Sequence, residues 1–364
     1  MGFLALGMML GSRGGVVTGL KPLAQHIKLN LGAAVDSYQV RSNADGGKYR
    51  QAILNNFTML EPENNLKPPA LWLGVNQYNF WDSDYLVDWA NTNGIKVRGH
   101  VLVYARDDGY TIPGWLLAME NSITPAQARV MLHDYITTVV TRYKGKIMAW
   151  DVMNEAIDDS PNTNPFNLRN SFWFRKLGRD FVLDAFRFAH LADPNVKLYY
   201  NEYNVEAGGW KADKMLQMAD YLKARGVQID GIGLQYHVGV GGQPSNGDGF
   251  YQMLNKIRDR RLSFMITELD VSVNVFNYPQ GDPNFGVIPI VPADLITQAA
   301  NYQAYFKMAL SYPNCQGIQM WGVNDSHSWI PWFTGGNRGS ALLLDQNFAA
   351  KPAFFSVANE LGLH

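Results

Sequence analysis

The sequence predicts a single-domain (β/α)8 barrel. Three observations carry that prediction. Short apolar runs recur eight times along 364 residues. Stretches with helical spacing lie between them, and strand alternating with helix implies a parallel sheet. No Gly-rich phosphate turn follows an early run, as an open doubly wound sheet would want. Eight such units fit a closed barrel once insertions are allowed.

The runs fall near Leu29–Val35, Phe57–Leu60, Val97–Val103, Ile147–Val152, Val196–Tyr200, Gly231–Gln235, Ser263–Glu268 and Gly317–Trp321. Among the helical stretches, 124–145 starts with Thr124 as N-cap and Pro125 at the first helical position. Its Val130, Leu132, Ile136, Val139 and Val140 are spaced to share a face. The stretches 180–192 and 213–226 behave likewise, the second closing at Gly226. The Gly-rich segment 237–249 reads as a loop. Residues 1–20 hold an apolar run, Phe3 to Leu10, too short to span a bilayer and without the flanks of a complete signal peptide. They are expected to be a tail or partial signal segment ahead of a barrel at 21–364.

Composition narrows the function. A net charge of −1 without a basic stripe argues against nucleic acid, and no apolar run is long enough to cross a membrane. A lone cysteine, Cys315, forbids an intrachain disulfide. H-E-x-x-H, C-x-x-C, Walker and G-x-S-x-G patterns are absent, so neither a metal nor a cofactor is expected in catalysis. Aromatic residues reach 13%, and flat rings suit sugars.

In a barrel the C-terminal strand ends form the active face. Nearly every run here delivers a polar or aromatic residue to that rim. The second leads into Glu61, Glu63, Asn64 and Lys67, and the third holds His100. The fourth ends on Asn154 and Glu155, the fifth on Tyr199 to Asn204, the sixth on Gln235 and His237. The seventh ends on Glu268 and Asp270, the eighth on Trp321. Glu155 and Glu268 lie on strands nearly opposite one another. Two facing carboxylates are the minimum kit for glycoside hydrolysis, one donating a proton and the other attacking or activating water. Asn154 can bond a sugar hydroxyl. His237 donating to Glu268 would favour its ionised form, with Asp270 orienting the imidazole. Trp321 and Trp329 can floor and wall the ring.

The segments "EPENNLK", "RGHVLV", "WDVMNEAI", "LYYNEYN", "GIGLQYH", "ITELD" and "WGVNDSHSW" resemble, in order, the signatures of glycoside hydrolase family ten, the β-1,4-xylanases. The resemblance runs from about residue 30 to 360. It implies an endo-acting, retaining, secreted enzyme that cuts xylan and xylo-oligosaccharides, with no cofactor and as a monomer. Glu155 would be the acid/base and Glu268 the nucleophile, supported by His237 and Asp270. Glu63, Asn64, Lys67 and His100 would hold sugars on the non-reducing side. Asn154 would contact the nucleophile-side sugar, Gln235, Trp321 and Trp329 would complete the central subsite with His237 beside them, and Tyr203 would serve the leaving-group side; Tyr104, though outside the family pattern, is also expected to bind substrate.

The chain also departs from the family pattern. Tyr104-Ala105 stand where Trp-His is usual, Glu202 where Asp is common, and Pro68-Pro69 where Trp follows the lysine. The small Ala105 is expected to leave space and remove a donor, opening the cleft to hexose units or substituted xylan. A β-1,4-glucanase or dual enzyme on the same barrel is therefore the alternative activity. A non-catalytic polysaccharide-binding barrel is the alternative of another class.

Overall fold

The computed structural model describes residues 19–245 and 247–364. The expected N-terminal tail or signal segment lies, apart from Gly19 and Leu20, outside the described residues. Eight barrel strands follow in chain order: β1 Leu31–Val35, β2 Met59–Pro62, β3 Lys96–Tyr104, β4 Ala149–Asn154, β5 Lys197–Glu202, β6 Gly231–Leu234, β7 Ser263–Asn274 and β8 Cys315–Met320. Each pairs in parallel with its neighbour, and β8 pairs with both β1 and β7. The sheet is closed and leaves no edge.

The strands are buried almost throughout. Parallel strands covered on both faces read as continuous apolar runs, which is why all eight were visible. Their rims were less so. β7 runs to Asn274, past Glu268, because its far half pairs with His237–Gly239 on one side and Arg338–Gly339 on the other. Three residues expected in a loop, His237–Gly239, therefore form a short strand. The helix expected from 124 runs over Pro125–Arg142, closed by a capping box between Thr124 and Gln127. Val130 does not join its buried face and is exposed. No described helix is long and apolar enough to cross a membrane.

Alternation along each strand splits inside from outside. Leu60, Trp150, Val152, Tyr200 and Ile266 face the helices in the main core. Met59, Ala149, Tyr199 and Met265 form a separate small cluster inside the barrel. Gly99 faces Trp150 in register, and a Cβ there would lie 2.2 Å from the indole.

One step further toward the rim the interior turns polar. Arg98 is fully buried and donates to both Glu61 and Asp151. His100 Nδ1 lies 2.9 Å from Asp151 Oδ2. Burial pushes the Glu61 carboxyl up to about 7, with Arg98 pulling against it. Ligand-type atoms of Glu61, His100 and Asp151 lie within 4.8 Å of one another. That is a donor set fit for a cation, and the Arg98 guanidinium supplies one. Arg98→Met strands two buried carboxylates and is predicted to cost about 3–5 kcal/mol. Urea denaturation measures this, and a midpoint unchanged from wild type would remove Arg98 as the layer's tie.

Candidate active site

Glu155 sits one residue beyond β4, and its φ is +53°. A glutamate in the left-handed region is strained by on the order of 1–3 kcal/mol and persists only where its surroundings insist on it. Here they do. Its N–H donates to the Asn201 carbonyl at 3.1 Å, and its own carbonyl accepts Arg169 Nε at 2.9 Å. The next N–H donates to the Tyr200 hydroxyl at 3.1 Å. This kink turns the Glu155 carboxyl away from strand geometry. Every contact it makes is with a donor. Tyr104 Oη (2.6 Å), Gln235 Nε2 (3.1 Å) and Asn154 Nδ2 (3.4 Å) meet Oε1, and Arg106 Nη1 (3.2 Å) meets Oε2.

Glu268 lies within β7, where pairing to β8 slips between Ile266 and Leu269. Such an irregularity re-aims a side chain. Oε1 accepts Asn201 Nδ2 at 2.7 Å and Oε2 accepts His237 Nε2 at 3.0 Å. His237 Nδ1 donates to Asp270 Oδ2 at 2.8 Å, which also accepts Trp329 Nε1 at 2.9 Å. Burial alone would discharge His237, but the Asp270 and Glu268 carboxylates outweigh it and push the imidazole up to about 10. Burial raises Glu268 too, yet the hydrogen bond and charge of His237 prevail, and its carboxyl is held below the usual range. The two carboxylates thus stand in contrasting surroundings. Glu268 carries a dedicated, largely covered cation, whereas Glu155 has neutral donors and one half-exposed arginine.

Asn201 ties the two halves together. It donates to Glu268 and to Asn154 Oδ1 (2.9 Å), while Thr267 donates to its carbonyl at 2.7 Å. The model of glycosyl hydrolase family 10 matches residues 19–360. The chain belongs to that family. Endo-1,4-beta-xylanase B of Thermotoga neapolitana is 33% identical over 338 residues, covering 93% of this chain and 90% of the relative. Xylanase 10B from Thermotoga petrophila RKU-1, solved with xylobiose, has a TM-score of 0.84 and 32% identity over 97% of this chain and 99% of that one. An intracellular xylanase from Thermoanaerobacterium saccharolyticum, solved with xylotriose, has a TM-score of 0.78 and 30% identity over 93% and 97%.

Within this family 10 chain, most of the expected residues converge on one rim. Trp321 and Trp329 flank His237, their rings 6.3 and 4.8 Å from its own. Lys67 donates to Asn64 Oδ1 at 2.8 Å, and its ammonium lies 6.0 Å from the Trp321 ring. Glu63 is half-buried, and burial pushes its carboxyl up against the pull of Lys67. His100 sits low in the cleft. It is 1% exposed, spends Nδ1 on Asp151 and packs edge-on against Trp321, which leaves Nε2 for a sugar. Tyr203 has its hydroxyl on Asp159 and Arg169, and Lys211 Nζ lies 3.5 Å from its ring centroid.

The space expected at Ala105 is not open. Ala105 is 1% exposed and packed in the main core. Nor is a donor missing, since Tyr104 and Arg106 both reach Glu155. Arg106, Arg169 and Asn201 carry no sequence signal that singles them out. Arg98 carried a usable signal, a cation inside an apolar run whose parity matches that of Glu61 and Asp151.

Proposed function

We propose that this chain is an endo-β-1,4-xylanase that hydrolyses xylan with retention of anomeric configuration. The observation that carries this is the contrast between the carboxylates. Glu268, paired with the imidazolium of His237, stays ionised and attacks the anomeric carbon. Glu155 passes a proton to the departing oxygen and then takes one from the water that cleaves the glycosyl ester. The xylanase names of the relatives support xylan as the polymer.

The packed Ala105 gives no support to a roomier, hexose-tolerant cleft. Excluding one extra substituent from a pocket is worth about 10–200-fold. Turnover on carboxymethylcellulose is therefore predicted to fall below that on xylan by at least about 10-fold. Reducing-sugar assays on xylan, arabinoxylan, mixed-linkage glucan and carboxymethylcellulose decide this. Comparable rates on the cellulosic substrate would restore the dual reading. The non-catalytic reading fits poorly with two carboxylates so fully supplied with partners.

We further propose that it acts as a secreted monomer. A polymeric substrate is met outside the cell, which supports secretion. Activity confined to the cell fraction, or a dimer on size-exclusion chromatography, would count against the respective half of that statement.

A further inference from the structure

We propose that Arg106 is a positioning residue for Glu155: it occupies Oε2 in the free enzyme, yields that oxygen to the glycosidic oxygen when a sugar chain binds, and so sets the alkaline limit of the reaction. This rests on Glu155 being the proton donor. Oε1 is already engaged by three neutral donors, from Tyr104, Gln235 and Asn154. Oε2 meets one group, the Arg106 guanidinium at 3.2 Å. The proton to be donated therefore belongs on Oε2, where the positive guanidinium already favours the ionised carboxylate. Proton and guanidinium compete for one oxygen.

The surroundings allow the exchange. The backbone about Arg106 is pinned, with its carbonyl accepting the Thr111 hydroxyl at 2.9 Å and Asp107 Oδ1 accepting the Phe172 N–H at 2.8 Å. The side chain is 42% exposed, so it can turn while the loop stays put. A second partner waits, with Asp108 Oδ2 at 3.6 Å from Nε. The other charged and titratable groups around Glu155 are Tyr104 on β3, Arg169 after β4, Glu202 and Tyr203 on or just beyond β5, and Glu268 with His237 across the cleft. Glu202 and Glu268 are buried, Tyr104 and His237 are partly buried, and Arg169, 15% exposed, is fixed with Tyr203 on Asp159. They are common to any Arg106 variant, so a change in pH profile belongs to Arg106.

The experiment uses Arg106→Met, which keeps the stem and removes the charge, and Arg106→Lys, which keeps the charge. kcat/KM, which reports ionisations of the free enzyme, is followed against pH on aryl β-xylobiosides with a poor and an activated leaving group. For a half-exposed ion pair, the basic limb of Arg106→Met on the poor leaving group is expected to move up by about half a pH unit, a gain of about 3-fold above the limb. Arg106→Lys should keep the wild-type limb, and the activated substrate should show no such displacement. An unmoved limb in Arg106→Met, or an equal move on both substrates, overturns the proposal. Glu155→Ala is run alongside. If its loss depends on the leaving group while the Arg106→Met limb stays put, only the role of Arg106 fails. If that dependence is missing, the assignment of Glu155 fails with it.

Discussion

Glu268→Ala is expected to lower kcat on xylan by on the order of 10⁴–10⁶-fold, the scale seen when an enzymatic nucleophile is removed. On the proposed mechanism the substitution deletes the atom that bonds the anomeric carbon, and nothing nearby can replace it. Asp270 is fully buried beneath His237 and Trp329, which both bond its Oδ2. The fold should survive, because Asn201 keeps its bonds to Asn154 and Thr267. Binding of xylotriose, measured by calorimetry, should persist while turnover disappears. The same residues dictate a pH response. His237 has a folded pKa of about 10, raised above the ordinary imidazole value of about 6.5. Its contribution to stability is complete below about 6.5 and is lost as pH rises through about 10. Substantial turnover by Glu268→Ala would place the nucleophile elsewhere.

Glu155→Ala is the second large effect, and it is selective. Without a proton donor, kcat/KM on xylan or a poor aryl leaving group should fall by about 10²–10⁴-fold. An activated aryl group departs without protonation, so the first step on that substrate should be nearly intact. Hydrolysis of the glycosyl-enzyme then lacks its base, and the intermediate should accumulate. Azide needs no base, so it should restore turnover on the activated substrate and leave a β-glycosyl azide as product. A uniform loss across leaving groups, with no response to azide, would assign Glu155 a structural role.

The barrel was legible because each of its strands is covered on both faces and leaves an uninterrupted apolar run. What escaped lies at the rim, where the backbone stops being regular. Pairing slips between His100 and Val103 on β3, between Asp151 and Met153 on β4, and between Ile266 and Leu269 on β7. Glu155 and Tyr236 take left-handed backbone just past their strands. Each irregularity moves a side chain off the alternation that sequence can read. Glu155 and Glu268, with His237 and Asp270, were visible as candidates because a carboxylate or imidazole ending an apolar run is hard to explain otherwise. Asn201 was lost among the polar residues of "YYNEYN", where parity alone does not say which one joins Glu268 to Asn154. Arg106 reads as an ordinary loop arginine until its guanidinium is seen against Glu155. Ala105 misled for a different reason. A small residue predicts space only if its neighbours leave the space empty, and here the core has closed over it.

The proposed mechanism passes through a covalent bond between Glu268 and the sugar. Incubation with an activated 2-deoxy-2-fluoro β-xylobioside, which slows the second step more than the first, should inactivate the enzyme with a mass gain of one fluoro-xylobiosyl group. Peptide mapping should place that group on Glu268, within the β7 segment Ser263–Asp270. A label on another carboxylate, or hydrolysis without any adduct and with an inverted first product, would contradict the assignment.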